Sequence, residues 1–193
     1  MFPDLEILLA VTGTFERLDV PYLVGGSVAS SALGVFRTTL DADVVADLQA
    51  RHVEPFVAAL RSDFYLDDQR IRHAIARRSS FNLIHLAKAL KVDVYLPSLD
   101  AFSRSQLARR PRIEAPGADG ATFYPASAED VVLQKLRGYR LCGESSERQW
   151  LDVLGVLKVQ RPTFDRGDAA RWADEIEVAD LLARAHEDAG YPA

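Results

Sequence analysis

Cysteine is nearly absent. Cys142 stands alone in 193 residues, which excludes an internal disulfide framework and a four-cysteine zinc centre. The four histidines, His52, His73, His85 and His186, are scattered without metal-ligand spacing. No apolar run approaches the about 20 residues that a membrane-spanning helix needs. No internal repeat or low-complexity tract interrupts the chain, and neither a Walker loop nor a G-x-G-x-x-G pattern occurs. Residues 1–19 lack a basic leader and carry Asp4 and Glu6, so they read as an amphipathic helix rather than a signal peptide. These absences leave a soluble cytoplasmic protein with no membrane partner as the expectation. What is present agrees: 48% hydrophobic and 26% charged residues suit a chain with a hydrophobic core and exclude a disordered one.

The net charge of −5 argues against a generic nucleic-acid coat. The charge is uneven, however. Residues 70–112 hold ten Lys/Arg against two acids, a local +8 that leaves −13 for the remainder. Such a segment suits either an anionic partner or the solvated faces of ordinary helices.

Along the chain, Leu5, Leu8, Leu9 and Phe15 share a helical face. Residues 20–24 form a β-prone run that ends at Gly25-Gly26, and residues 27–33 read as a short helix with Ser27 as N-cap. In 40–48, Leu40, Ala42, Val44, Ala46 and Leu48 alternate with Asp41, Asp43, Val45 and Asp47, which is a strand with an apolar back and an acidic front. Helices are expected over 52–60, 69–77 and 100–107. Residues 80–87 and 90–96 form a hairpin, and in its second strand Val92, Val94 and Leu96 oppose Lys91, Asp93 and Tyr95. A small hairpin is expected within 111–125. Beyond it the pattern is helical, opened by Ser-x-x-Asp at Ser127 and Asp130 and by Ser-x-x-Gln at Ser146 and Gln149. Helix, then mixed strands and helices, then helices describes an α/β or α+β protein with a C-terminal helical bundle.

Three features carry chemistry. The Gly25-Gly26-Ser27 turn joins a strand to a helix, where free N–H groups and a hydroxyl suit phosphate, although such turns are common in ordinary folds. Asp41 and Asp43 are two apart on a strand and project to one side. Two charges about 4 Å apart repel by about 4 kcal/mol at an effective dielectric of about 20, and a divalent cation is the usual compensation. The bland alternative is two hydrated acids at a strand end. Asp93 repeats the acid-front geometry. It either joins the other two in a two-metal phosphoryl-transfer layout or pairs with Lys91 or an arginine.

Together these residues resemble a known pattern. The stretch YLVGGSVASSALGVFRTTLDADVVADL resembles the nucleotidyltransferase superfamily, of polymerase-beta-like fold, and is most similar to its small bacterial AbiEii-like members, several of which act as toxins. The pattern is a hydrophobic run and Gly-Gly-Ser, then Arg-x-Thr-x-Asp-x-Asp, then a single Asp between hydrophobic residues. Here it is met by Gly25-Gly26-Ser27, by Arg37 through Asp43, and by Val92-Asp93-Val94. The resemblance covers residues 20–160. It implies a nucleotidyltransferase core over 1–125, with a mixed sheet flanked by helices, and a helical region over 126–193 packed on it. It implies transfer of a nucleoside monophosphate from NTP to a hydroxyl on an RNA 3′ end, a protein side chain or a small molecule, with release of pyrophosphate. Asp41, Asp43 and Asp93 would be catalytic and would bind Mg²⁺ or Mn²⁺. Gly25, Gly26 and Ser27 would hold the phosphates. Lys135 matches a helix lysine that faces the triphosphate, its alternative being an exposed helix lysine. Arg37 would neutralise a phosphate or clamp Asp41. Implied partners are NTP, an antitoxin protein and an RNA acceptor through residues 70–112. The alternative function is a non-catalytic nucleotide-binding or partner-binding module on the same fold.

The remaining candidates have structural readings. Arg148 and Asp152 are four apart on a helix and suit an intrahelical ion pair, with Asp152 a lesser site candidate because the superfamily often places an acid there. His85 reads as a core histidine and Cys142 as a packing residue. Trp150 and Trp172 read as packing residues of the helical tail.

Overall fold

The computed structural model describes residues 5–33, 41–115 and 120–191, without the side chains of residues 27, 31 and 32. By compactness the chain forms two units, Met1–Val28 with Thr38–Pro125, and Ala29–Arg37 with Ala126–Ala193. The larger part of the second unit begins at Ala126. Nothing in the composition marks residues 29–37 as belonging with the helical unit.

The first unit begins with α1 (Leu5–Arg17), β1 (Tyr22–Val24) and the first residues of α2 (Gly26–Ala32), the rest of which belongs to the second unit. It continues with β2 (Asp41–Ala46), a 3₁₀ turn (Ala50–His52), α3 (Val53–Leu60), β3 (Phe64–Tyr65), α4 (Asp68–Arg77), β4 (Ser80–His85) and β5 (Lys91–Tyr95). It closes with α5 (Ala101–Arg109) and the short hairpin strands β6 (Ile113–Glu114) and β7 (Thr122–Phe123). The sheet order is β1-β2-β5-β4-β3, with β2 and β5 parallel and the other pairs antiparallel. The alternation read from the sequence becomes a division of faces. Ala42, Val44, Ala46, Val92, Val94, Phe81 and Leu83 join α1, α3 and α4 in one core with Phe15, Phe56 and Ile71. Each such valine, leucine, isoleucine or phenylalanine side chain contributes about 1.5–3 kcal/mol on burial, so a one-residue slip of β2, which would bury its acids, is strongly disfavoured.

Helix starts follow local chemistry. Asp67 accepts from the Gln69 and Arg70 amides at the head of α4, and Asp100 accepts from the Ser103 amide at the head of α5. The two-residue edge strand β3 was not legible, because Phe64-Tyr65 is too short to show a period. His85 corrects its sequence reading: it is half-buried at the end of β4, edge-on to Phe64, and accepts from the Lys88 amide.

The second unit contains α6 (Ala128–Leu141), α7 (Glu147–Gln160), α8 (Arg166–Glu175) and α9 (Ala179–Asp188). Ser127 and Ser146 cap α6 and α7 by accepting from the Asp130 and Gln149 amides, as the Ser-x-x-Asp and Ser-x-x-Gln spacings predict. Val132, Leu136, Val153, Leu157, Ala173 and Leu182 are fully or almost fully buried. Trp150 and Trp172 are buried as expected. Cys142 is exposed at the end of α6 rather than packed. Among the described residues no helix is long and apolar enough to cross a membrane.

Candidate active site

Strand register assembles the acids. In the parallel β2–β5 pair Asp43 lies opposite Asp93 and Asp41 opposite Lys91. Neighbouring strands are about 4.8 Å apart and alternate residues point the same way, so Asp41, Asp43 and Asp93 share the face turned away from α1, α3 and α4. The next row of that face is Val45 opposite Tyr95. On the far side of β5, Asn82 of β4 stands opposite Asp93 and Ser80 opposite Tyr95. The sequence signal for Tyr95 and Asn82 was their position in the alternation, two residues from Asp93 or across from it. Neither was singled out, because neither residue type is diagnostic.

The glycine turn is locked onto this face. β1 runs antiparallel to β2 and pairs Val24 with Val44, which brings the following glycines beside Asp43. The Gly25 amide donates to the Asp43 carbonyl at 2.9 Å. Gly26 has φ +58°, and a Cβ built on it would stand 1.8 Å from Asp43 Oδ2. Only glycine therefore lets the turn lie against the carboxylate. The Ser27 side chain and Arg37 lie outside the described residues.

Electrostatically the face is acidic with one lysine set into it. Lys91 Nζ donates to Asp93 Oδ2 at 2.7 Å and stands 4.0 Å from Asp41 Oδ1. The side chains of Asp93 and Lys91 are 18% and 38% exposed, and that of Asp41 is 55% exposed. The hydrogen bond to Asp93 is the largest influence raising the Lys91 pKa. Burial raises the Tyr95 phenol, and the charges of Asp43 and Asp93 add to it. Among the described residues, no three His, Cys, Asp or Glu side chains stand close enough as placed to hold a metal ion. The donor chemistry nevertheless suits a hard divalent cation, since all three acids offer carboxylate oxygens on one face.

Two further residues meet in the second unit. Lys135 of α6 donates to Asp152 Oδ2 of α7 at 2.8 Å, with side chains only 14% and 5% exposed. Lys135 is thus not an exposed helix lysine. Arg148 is exposed while Asp152 is buried, and the acid pairs with the lysine across the helix pair rather than with its expected neighbour one turn away.

Lys91 of the basic segment stands among the acids, but the α4 part of that segment is placed differently. Ile71 and Ala74 seat α4 in the core behind the sheet. Arg70, Arg72 and Arg77 are exposed on a helix that covers the face opposite the carboxylates. Arg78 pairs with Asp47 at 3.1 Å. A hollow lined by Val57, Arg61, Tyr65 and Leu86 lies at α3, β3 and the end of β4, away from the carboxylate rows.

No protein-family profile matches the chain, and no curated protein does. Solved structures do. An antigenic nucleotidyltransferase-like protein from Paracoccidioides brasiliensis matches at 15% identity over 94% of this chain and 91% of that one, with a TM-score of 0.53. A putative nucleotidyltransferase from Thermotoga maritima matches at 14% identity over 79% and 96% of the two chains, with a TM-score of 0.49. A lincomycin-bound lincosamide antibiotic adenylyltransferase matches at 13% identity over 82% and 98%, with a TM-score of 0.44. The first likeness establishes the fold: a mixed α/β architecture shared with a nucleotidyltransferase-like protein.

Proposed function

We propose that this chain is a divalent-cation-dependent nucleotidyltransferase that moves a nucleoside monophosphate from NTP to a hydroxyl acceptor. The observation that supports this best is the register of β2 and β5, which sets Asp43 beside Asp93 with Asp41 on the same face, under a glycine turn that fits only glycine. Asp41, Asp43 and Asp93 would hold Mg²⁺ or Mn²⁺, which when bound supplies charge neutralisation at the triphosphate and at the attacking oxygen. The Gly25-Gly26-Ser27 turn binds the β- and γ-phosphates through the start of α2, and the superfamily resemblance assigns the supply of positive charge to Arg37 and Lys135. Asp93 accepts the proton of the acceptor hydroxyl as its oxygen bonds to the α-phosphorus. The bond from the α-phosphorus to the bridging oxygen breaks, and pyrophosphate leaves. Catalysis is positioning and charge stabilisation. Asp152 acts by orienting Lys135 through their ion pair.

Among superfamily members we place the chain nearest the AbiEii-like type, in the cytoplasm, where NTP and Mg²⁺ are supplied. A role as the toxin of a toxin–antitoxin pair predicts growth arrest on expression that Asp43→Ala relieves. RNA, a protein side chain and a small molecule remain the acceptor classes, but the α4 arginines lie behind the sheet and would not present RNA to the carboxylates. The Lys91 ion pair to Asp93 favours one second reading, a nucleotide-binding module without turnover. Incubation with radiolabelled NTPs, Mg²⁺ and whole-cell extract separates the two. Label transferred to RNA, protein or a small molecule supports the enzyme and names its acceptor. Saturable NTP binding with no transfer supports the module.

A further inference from the structure

Lys91 is half-exposed and is held at the carboxylate face by charge. It lies opposite Asp41 in the row adjoining the Asp43–Asp93 pair, and its ammonium touches Asp93 Oδ2 at 2.7 Å and reaches within 4.0 Å of Asp41 Oδ1. One cation thus spans two of the three carboxylates from within the same sheet. A divalent cation held by those oxygens needs the lone pairs that Lys91 now engages. Two cations cannot share one carboxylate edge at such distances without strong repulsion. The side chain is 38% exposed, and its four-carbon stem gives it room to turn away into solvent.

We propose that Lys91 is a tethered cation that holds the carboxylate face together before metal arrives and must release Asp93 for metal to bind; this rests on the nucleotidyl-transfer reading above. Lys91 is therefore a positioning residue that sets the metal concentration at which the site forms. Without it the three acids repel one another in the metal-free protein, and metal meets no competitor.

The test is Mn²⁺ binding to the full chain without nucleotide, read from the electron paramagnetic resonance signal of free Mn²⁺, together with thermal unfolding in chelator and in Mn²⁺. Lys91→Met should bind Mn²⁺ about tenfold more tightly than wild type, unfold at a lower temperature in chelator, and gain more from Mn²⁺. Lys91→Arg, which keeps the charge, should stay within about twofold of wild type. If Lys91→Met folds poorly, Lys91→Gln carries the same expectation. Equal affinity in wild type and the uncharged variants, or an arginine variant as tight as the methionine one, overturns the inference while leaving the metal site standing. Absence of saturable binding in wild type, Lys91→Met and Asp43→Asn alike overturns the metal assignment itself, and the inference with it.

Discussion

Gly26→Ala perturbs the site without altering a charge. Gly26 sits at φ +58°, a region that costs an L-residue about 1–2 kcal/mol. The new Cβ would stand 1.8 Å from Asp43 Oδ2, 2.7 Å from its Cγ and 3.0 Å from its Cβ, all inside the about 3.5 Å at which carbon contacts become favourable. The Asp43 side chain is short and its own Cβ is fixed to β2, so relief requires an off-rotamer carboxylate at about 1 kcal/mol or a shift of the turn. We expect a loss of about 2–3 kcal/mol in urea unfolding. We also expect a fall in NMP transfer of about 100-fold, because a displacement of about 1 Å at a reacting centre has that effect. Gly25→Ala is the control. Its Cβ meets no heavy atom within 4 Å and its φ is not left-handed, so its stability should change by less than about 0.5 kcal/mol. A Gly26→Ala protein as stable and as active as Gly25→Ala would refute the claim that the turn is fitted against the carboxylate.

Three other outcomes are expected. Lys135→Met removes the ammonium that pairs with the buried Asp152 carboxylate, which should destabilise by about 3 kcal/mol in urea unfolding, whereas Lys135→Met with Asp152→Leu should recover most of it; a single variant as stable as wild type would contradict the buried pair. Asp43→Asn should abolish transfer while unfolding at the same temperature as wild type or higher, since it removes charge from a face already crowded with acids; near-wild-type turnover would return Asp43 to a structural role. His186 stacks on Tyr191 and meets Phe164 edge-on, and burial, with Arg166 adding, lowers its pKa from the ordinary 6.5. The unfolded chain therefore takes up the proton first, so stability is full above about pH 6.5 and falls as pH drops toward the lowered value. His186→Phe should flatten that slope between pH 7.5 and 5 in thermal unfolding, and an unchanged slope would exclude the histidine as its source.

Much of this was legible in the chain, for identifiable reasons. The period-2 pattern of 40–48 and 90–96 carries its own face assignment, so the acid-front strands could be read without knowing their neighbours. Cap chemistry at Ser127 and Ser146 is local and marked α6 and α7 to within a residue. The parallel pairing of β2 with β5 is not local. A 3₁₀ turn and four further elements intervene between these strands, and nothing in either one names its partner or register. For the same reason Lys91 was readable as a neighbour of Asp93 in sequence but not as a cation reaching Asp41 on the next strand. Asp152 shows the complementary limit. Spacing along one helix suggested Arg148, but burial turned the acid toward α6, where Lys135 meets it. Cys142 was read as packing because cysteines usually are buried, and its place at a helix end left it in solvent.

The most direct measurement of the proposed chemistry is pyrophosphate release from the four NTPs with Mg²⁺ and an acceptor-containing extract, comparing wild type with Asp93→Asn. Asp93 is the residue whose placement beside Asp43 the sheet register alone provides. We expect metal-dependent release by wild type and background release by the variant, with the two proteins indistinguishable in circular dichroism. Equal release by both proteins, or none by a folded wild type with any NTP, would contradict it.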